Sequence, residues 1–194
     1  GLRRWHGSRF VPTGLGALDD EYILNLQVIG DRLWISTVRR GVTATDGFRC
    51  ATFDRAHGLP SDTVWSVAPE GDGVWIGTEE GLCRVDRTGK AIRMRRQDGL
   101  CCDQIRALWF DADTRTLWVA TANGLNRWNR KSWKSFARAE GLSSPHISSL
   151  FPVGHELWLG TEQGLFILTG DRIRRGPGRL TGLLGGEECS GVGS

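Results

Sequence analysis

The sequence predicts an all-β protein built from a tandem repeat, and three observations predict it. A pentapeptide with tryptophan in second place recurs four times, as Leu33-Trp34-Ile35-Ser36-Thr37, Val74-Trp75-Ile76-Gly77-Thr78, Leu117-Trp118-Val119-Ala120-Thr121 and Leu157-Trp158-Leu159-Gly160-Thr161, with the tryptophans 41, 43 and 40 residues apart. Two further marks keep the same period. Gly41-Val42, Gly81-Leu82, Gly124-Leu125 and Gly164-Leu165 follow the successive threonines, with Gly1-Leu2 as an earlier copy, and Gly58-Leu59, Gly99-Leu100, Gly141-Leu142 and Gly182-Leu183 recur later in each unit. The segments between the marks are short, rich in β-branched and aromatic residues and without sustained helical periodicity.

Each unit reads as four strands in order. The first is apolar with a small residue inside it, over residues 23–28, 64–68, 105–110 and 147–151. Turn residues follow, such as Gly30-Asp31 and Gly71-Asp72-Gly73, and lead into the tryptophan strand. A third strand starts at the first Gly-Leu mark, as in 82–85 and 125–128, and a polar turn then leads to a fourth, as in 91–95 and 132–137.

Four strands in about 41 residues, with one tryptophan per unit, is the pattern of a β-propeller. A blade this small cannot bury both faces of its own sheet, so its neighbours supply the cover, and its strands are apolar without clean polar alternation. A β-sandwich is the rival fold, but it has no reason to repeat one pentapeptide at constant spacing. The expected units are an outer half-blade over 1–21, four blades over 22–62, 63–103, 104–145 and 146–187, and a tail over 188–194, all in one propeller domain. No further tryptophan strand follows Gly182-Leu183. The expectation is therefore an open arc of four blades plus a half-blade, part of a larger ring, whose unpaired strand edge favours self-association.

The marks resemble the two-component regulator propeller repeat, whose units carry an L-W-I-G-T strand, a following G-L-x-R and a D-G-L-P-S-x-x-V loop. The match is close at Val74 to Thr78, at Gly81-Leu82-Cys83-Arg84 and at Gly58-Leu59-Pro60-Ser61-Asp62-Thr63-Val64, and covers residues 22–187 as four units. It departs locally: Gly41-Val42-Thr43-Ala44 and Gly164-Leu165-Phe166-Ile167 lack the arginine, and the loop mark is weak at 180–183. The Trp-Asp dipeptide of WD40 repeats is absent. The resemblance implies a periplasmic sensor domain of a bacterial inner-membrane receptor. Such a domain binds a ligand, in some members a carbohydrate, signals through dimerisation, and is followed in the parent chain by a membrane span and an output kinase or cyclase domain.

Composition narrows the function classes. With 39 % hydrophobic residues and nine tryptophans among 194 residues, the chain has ample area for a core. A net charge of +3 is far short of the basic excess of a dedicated nucleic-acid binder, so no nucleic-acid partner is expected. No apolar run is long enough to span a membrane and no signal peptide is visible; the start at Gly1 reads as that of a piece excised from a longer protein. The five cysteines, Cys50, Cys83, Cys101, Cys102 and Cys189, fit neither a zinc site nor a disulfide framework. Cys101-Cys102 reads as a loop pair facing solvent or a neighbouring blade rather than as an oxidised vicinal pair. His6, His57, His146 and His155 occupy different repeat positions, so no metal site is expected. The nucleophile-elbow, zincin and P-loop motifs are absent, and no acid–base pair converges, so no catalytic residue and no cofactor are assigned. The basic runs 93–96 and 172–175 occupy outer strands, where charge blunts a sheet edge.

The repeat also says where to look for a binding site. The loop entering the first strand and the loop joining the second and third emerge on one face of the disc, and residues that vary there are free of the architectural role. They include Ser61 and Asp62, Asp103 and Gln104, Pro145 and His146 in the first loop, and Arg39 and Arg40, Glu79 and Glu80, Ala122 and Asn123, Glu162 and Gln163 in the second. The second residue of the first strand varies as Leu24, Trp65, Arg106 and Ser148 while its neighbours stay apolar. The candidate ligand-binding set is therefore Trp65, Arg106, Ser61, Asp62, Glu79, Glu80, Asp103, Asn123, His146 and Glu162, with Trp65 and Arg106 suited to stack on and hydrogen-bond a sugar or a carboxylate. The plainer reading is that both fill the mouth of the axial channel. Trp34, Trp75, Trp118 and Trp158 repeat faithfully and are assigned to packing between blades. A ligand-sensing domain and a protein-interaction scaffold without a small ligand are the two functions that this sequence leaves open.

Overall fold

A computed structural model describes residues 1–177, as eighteen strands in five antiparallel sheets. β1 (Arg3–His6) and β2 (Arg9–Pro12) form a hairpin. The first whole blade comprises β3 (Ile23–Ile29), β4 (Arg32–Thr37), β5 (Val42–Thr45) and β6 (Cys50–Phe53), and the second β7 (Val64–Glu70), β8 (Gly73–Thr78), β9 (Gly81–Val85) and β10 (Ala91–Met94). The third comprises β11 (Ile105–Asp111), β12 (Thr116–Thr121), β13 (Gly124–Trp128) and β14 (Trp133–Phe136), and the fourth β15 (Ile147–Val153), β16 (Glu156–Thr161), β17 (Gly164–Thr169) and β18 (Arg172–Arg175). The first strands pack in succession, β3 on β7, β7 on β11 and β11 on β15, so the sheets fan around an axis as propeller blades. Among the described residues no comparable contact joins β15 back to β3, and the arc is open. Gly182-Leu183, Cys189 and the segment 188–194 lie outside the described residues.

Each repeated mark solves a local problem. Trp34, Trp75 and Trp118 are 8, 2 and 8 % exposed and lie in the seam with the following blade, against Val64 and Val67, against Ile105 and Leu108, and against Ile147 respectively. Trp158 is only half-buried, because among the described residues no following blade covers it; its indole N–H donates to Glu156 instead, at 3.0 Å. The threonine that ends the tryptophan strand closes the next turn. The hydroxyls of Thr78 and Thr121 donate to the carbonyls of Gly81 and Gly124 at 2.7 and 2.8 Å and accept from the backbone N–H of Glu80 and Asn123. Gly81 has φ +138°, and a Cβ there would lie 2.9 Å from the carbonyl oxygen of Met94, so only glycine fits.

The later Gly-Leu mark ends a single 3-10 turn over Arg55–His57, Arg96–Asp98 and Arg138–Glu140. These turns depart from a reading of strand and turn only, because three residues are too few to leave a helical period in the sequence. The glycine caps the turn in the left-handed region and the leucine drops into the seam: Leu59, Leu100 and Leu142 are buried. A fourth copy precedes the first whole blade, where Gly16–Leu18 form the turn and Leu18 is buried. Ala17 stands where the others have glycine, and the mark is lost to sequence comparison.

The second and third blades are also joined by an ionic triad. Glu70, at the end of β7, is 5 % exposed and accepts hydrogen bonds from Arg84 (2.6 Å) and from Arg130 of the next blade. Burial pushes its carboxyl up, but the Arg130 and Arg84 hydrogen bonds outweigh it and hold the group below the ordinary carboxylate range.

Candidate functional site

The ladder between the first two strands slips by one residue in every whole blade, between Ile23 and Asn25, Val64 and Ser66, Ile105 and Ala107, and Ile147 and Ser149. The residue left over is Leu24, Trp65, Arg106 or Ser148, the position that varies sharply in sequence. A bulge re-aims one side chain without disturbing the ladder on either side, so each blade presents one freely chosen residue at the axial mouth. The flanking loops are stitched to it: Glu79 N–H donates to the Thr63 carbonyl and Ala122 N–H to that of Gln104, both at 3.0 Å.

Trp65 and Arg106 meet across the seam between the second and third blades. The Arg106 guanidinium carbon lies 4.4 Å from the centre of the Trp65 indole. Glu79 ties the pair together: its Oε2 accepts from Trp65 Nε1 at 2.7 Å and from Arg106 Nη1 at 3.1 Å, while its Oε1 accepts from Gln104 Nε2 at 2.6 Å. Arg106 Nε is buried without a hydrogen-bond partner, and Nη2 has none among the described residues. The result is a fixed guanidinium, one-fifth exposed, with Nη2 as its spare donor.

The other candidates are spread along the same face. Asp62 and Asp103 cap backbone, accepting from Arg55 N–H at 2.8 Å and Arg96 N–H at 2.6 Å, and Ser61 is buried and accepts from Thr63 N–H. Glu80 pairs with Arg55 at 2.9 Å. His146 and Glu162 approach to 3.5 Å on the fourth blade, and Asn123 is exposed. The structure thus gathers Trp65, Arg106 and Glu79 with Gln104 into one cluster and leaves the rest outside it. The role of Gln104 was hidden because its partner is 25 residues away across a seam. A second ionic cluster on this face, buried Glu21 with Arg39 (3.3 Å) and Arg40 (3.4 Å), was signalled only by the inversion of charge from Arg39-Arg40 to Glu79-Glu80. Burial raises the Glu21 carboxyl, and the Tyr22 N–H and Arg39 outweigh it to hold the group below its ordinary range.

Cys50, Cys83, Cys101 and Cys102 are free thiols, and no group of three or more metal-ligating side chains comes together among the described residues. No helix among them is long and apolar enough to cross a membrane.

No family model matches the sequence, and no curated protein matches it. Solved structures do. The chain is similar to the extracellular domain of the putative one-component system BT4673 from B. thetaiotaomicron, at 22 % identity and TM-score 0.65 over 82 % of this chain and 23 % of that one. It is also similar to the β-propeller domain of Cps50 (Swd1) from Myceliophteria thermophila, at 14 % identity and TM-score 0.57 over 79 % and 54 %. An ancestral GH74 enzyme matches at 12 % identity and TM-score 0.62 over 81 % and 24 %. The chain therefore spans about a quarter of the length of the BT4673 domain. These likenesses show the fold, a β-propeller, and they range from the extracellular domain of a putative one-component system to an enzyme.

Proposed function

We propose that this chain is a non-catalytic, ligand-sensing propeller segment of a bacterial signal-transduction receptor, exposed on the extracytoplasmic side of the membrane. The observation that carries the reading is the cluster of Trp65, Arg106, Glu79 and Gln104 at the axial mouth. An arginine stacked on an indole and braced by a carboxylate is ordered before a ligand arrives, so little side-chain freedom remains to be lost on binding. Its unpartnered Nη2 suits a carboxylate or the hydroxyls of a sugar, and the amphipathic rim of the indole suits a sugar ring. The likeness to the BT4673 extracellular domain supports the sensing role, and the resemblance of the repeat marks to two-component regulator propellers supports an output kinase or cyclase, with dimerisation as the signal.

The test is a titration with acidic and neutral oligosaccharides from an array. A carboxylate-bearing glycan is expected to bind, and Arg106→Ala and Trp65→Ala each to weaken it about tenfold or more, with Arg106→Lys recovering only part of the loss. Binding that neither alanine variant alters would overturn the reading.

A further inference from the structure

The three seams between whole blades can be compared position by position, and one of them is unfilled. At the last residue of the first strand, on the face turned to the next blade, the chain has Ile29, Glu70 and Asp111 in successive blades. Ile29 plugs the first seam with apolar packing, and Glu70, with Arg84 and Arg130, plugs the second with the ionic triad. In the third seam every part of that plug is changed. The turn after Asp111 is two residues longer than that after Glu70, and the Asp111 carboxylate folds back onto it, accepting from the N–H of Asp113 and Thr114 and from the Thr114 hydroxyl. Arg127, the counterpart of Arg84, pairs instead with Asp171 at 2.9 Å, its guanidinium carbon 5.6 Å from the centre of the Trp118 indole. Gly170 occupies the place that Arg130 holds one blade earlier.

What remains is a groove of about 750 Å³ on the face opposite Trp65 and Arg106. It is lined by the indole of half-buried Trp109, by the edge of buried Trp118, whose ring Arg127 covers, and by Asp111, Asp113 and Glu156. Its positive charge is already committed: Arg127 is neutralised by Asp171, which also binds Lys134 at 2.6 Å, while His155 sits at the exposed rim. Glu156 is paired with Arg174 at 2.9 Å, but neither Asp111 nor Asp113 has a cationic partner among the described residues. The Trp109 indole beside two unpaired carboxylates is complementary to an organic cation.

We propose that this groove is a second binding site, which takes a lysine- or arginine-bearing peptide segment with the cationic head over Trp109 and beside Asp113. The site is independent of the axial cluster. The probes are acetyl-Gly-Arg-Gly-amide, its Glu counterpart and neutral maltotriose, titrated while the indole N–H resonances of the nine tryptophans are followed. The Arg peptide is expected to shift the Trp109 resonance saturably, and the Glu peptide and maltotriose to leave it in place. Trp109→Ala weakens binding about tenfold and Asp113→Asn about threefold.

The decisive variant is Gly170→Arg, which restores the missing arginine. Gly170 has φ +62° with open space around it, and Arg130 already adopts φ +71° at the matching position, so the variant is expected to fold and to abolish binding. Trp65→Ala is expected to leave this site unchanged. Equal binding of maltotriose or the Glu peptide overturns the proposal, as does undiminished Arg-peptide binding by a folded Gly170→Arg.

Discussion

Glu70→Gln tests how the blades are held together. The substitution keeps size and shape but removes the charge that two arginines share, one from each side of the seam. Arg84 is 24 % exposed and loses its partner in a largely desolvated place, whereas Arg130 is 43 % exposed and can turn to water. Removing one partner of a buried pair costs about 3–5 kcal/mol, and the partial exposure of Arg130 lowers the expectation to about 2–3 kcal/mol. For a chain of this size that is a fall of roughly 4–12 °C in the melting temperature, measured by circular dichroism or calorimetry at neutral pH. The sign with pH follows from the depressed folded pKa of Glu70. Its contribution is complete above the unfolded value near 4.5 and is lost as pH falls through the lower folded value, so the gap between parent and variant closes in acid. The double variant Glu70→Ile with Arg84→Ala transplants the first seam's Ile29 and Ala44 and is expected to recover most of the loss. A Glu70→Gln protein that melts within a degree of the parent at neutral pH would refute the argument.

Trp75→Ala is expected to destabilise by about 3–5 kcal/mol and Trp158→Ala, half-buried, by about 1–2 kcal/mol; equal effects in denaturant melts would contradict the packing role of the seam. Gly81→Ala, forced against the Met94 carbonyl at positive φ, should cost about 1–3 kcal/mol by the same assay, while Gly7→Ala, with φ +67° but open space, should cost about 1 kcal/mol. Cys50, exposed, should be alkylated in minutes by iodoacetamide at pH 8, while Cys83, whose thiol burial pushes up to about 11, should react only on unfolding; mass spectrometry of the labelled peptides decides. The arc alone should self-associate through its first blade, where Leu26 is 51 % exposed although the matching Val67 and Leu108 are buried against a preceding blade, and where Val28 beside it is 67 % exposed. A sedimentation profile that stays monomeric at micromolar concentration, unchanged in Leu26→Lys with Val28→Lys, would count against it.

The repeat was legible in the sequence because each mark answers a constraint that recurs in the same backbone geometry: an indole between sheets, a threonine closing a turn, a glycine where a Cβ would meet a carbonyl. Variation was harder to read. Trp65, Arg106 and Glu79 stand at variable positions and meet across a seam, yet Asp62 and Asp103, at a position that becomes Pro145 in the fourth blade, cap the loop before them, a task that Pro145 leaves undone. A position can change its residue because it is free, or because a local task is done differently from blade to blade, and one sequence does not separate the two. The cross-seam partners were out of reach for another reason: Gln104 and Glu79, or Glu70 and Arg130, are 25 and 60 residues apart, and only the radial stacking of sheets brings them together.

That stacking explains why one architecture tolerates such different seams. The tryptophan and the leucine after the 3-10 turn fill most of each interface, so blade spacing does not depend on the residue at the end of the first strand. Ile29, Glu70 and Asp111 occupy that place with an apolar plug, an ionic plug and an opening, while the hydrogen-bonded register of each sheet stays the same. The extra length of the third blade's first hairpin, visible as a tryptophan spacing of 43 instead of 41, lets Asp111 satisfy its own turn and vacate the seam. That two-residue difference in the repeat period is thus the structural origin of the groove over Trp109. The same logic places the bulge residues Trp65 and Arg106 outside the packing scheme, where chemistry can change without moving a blade.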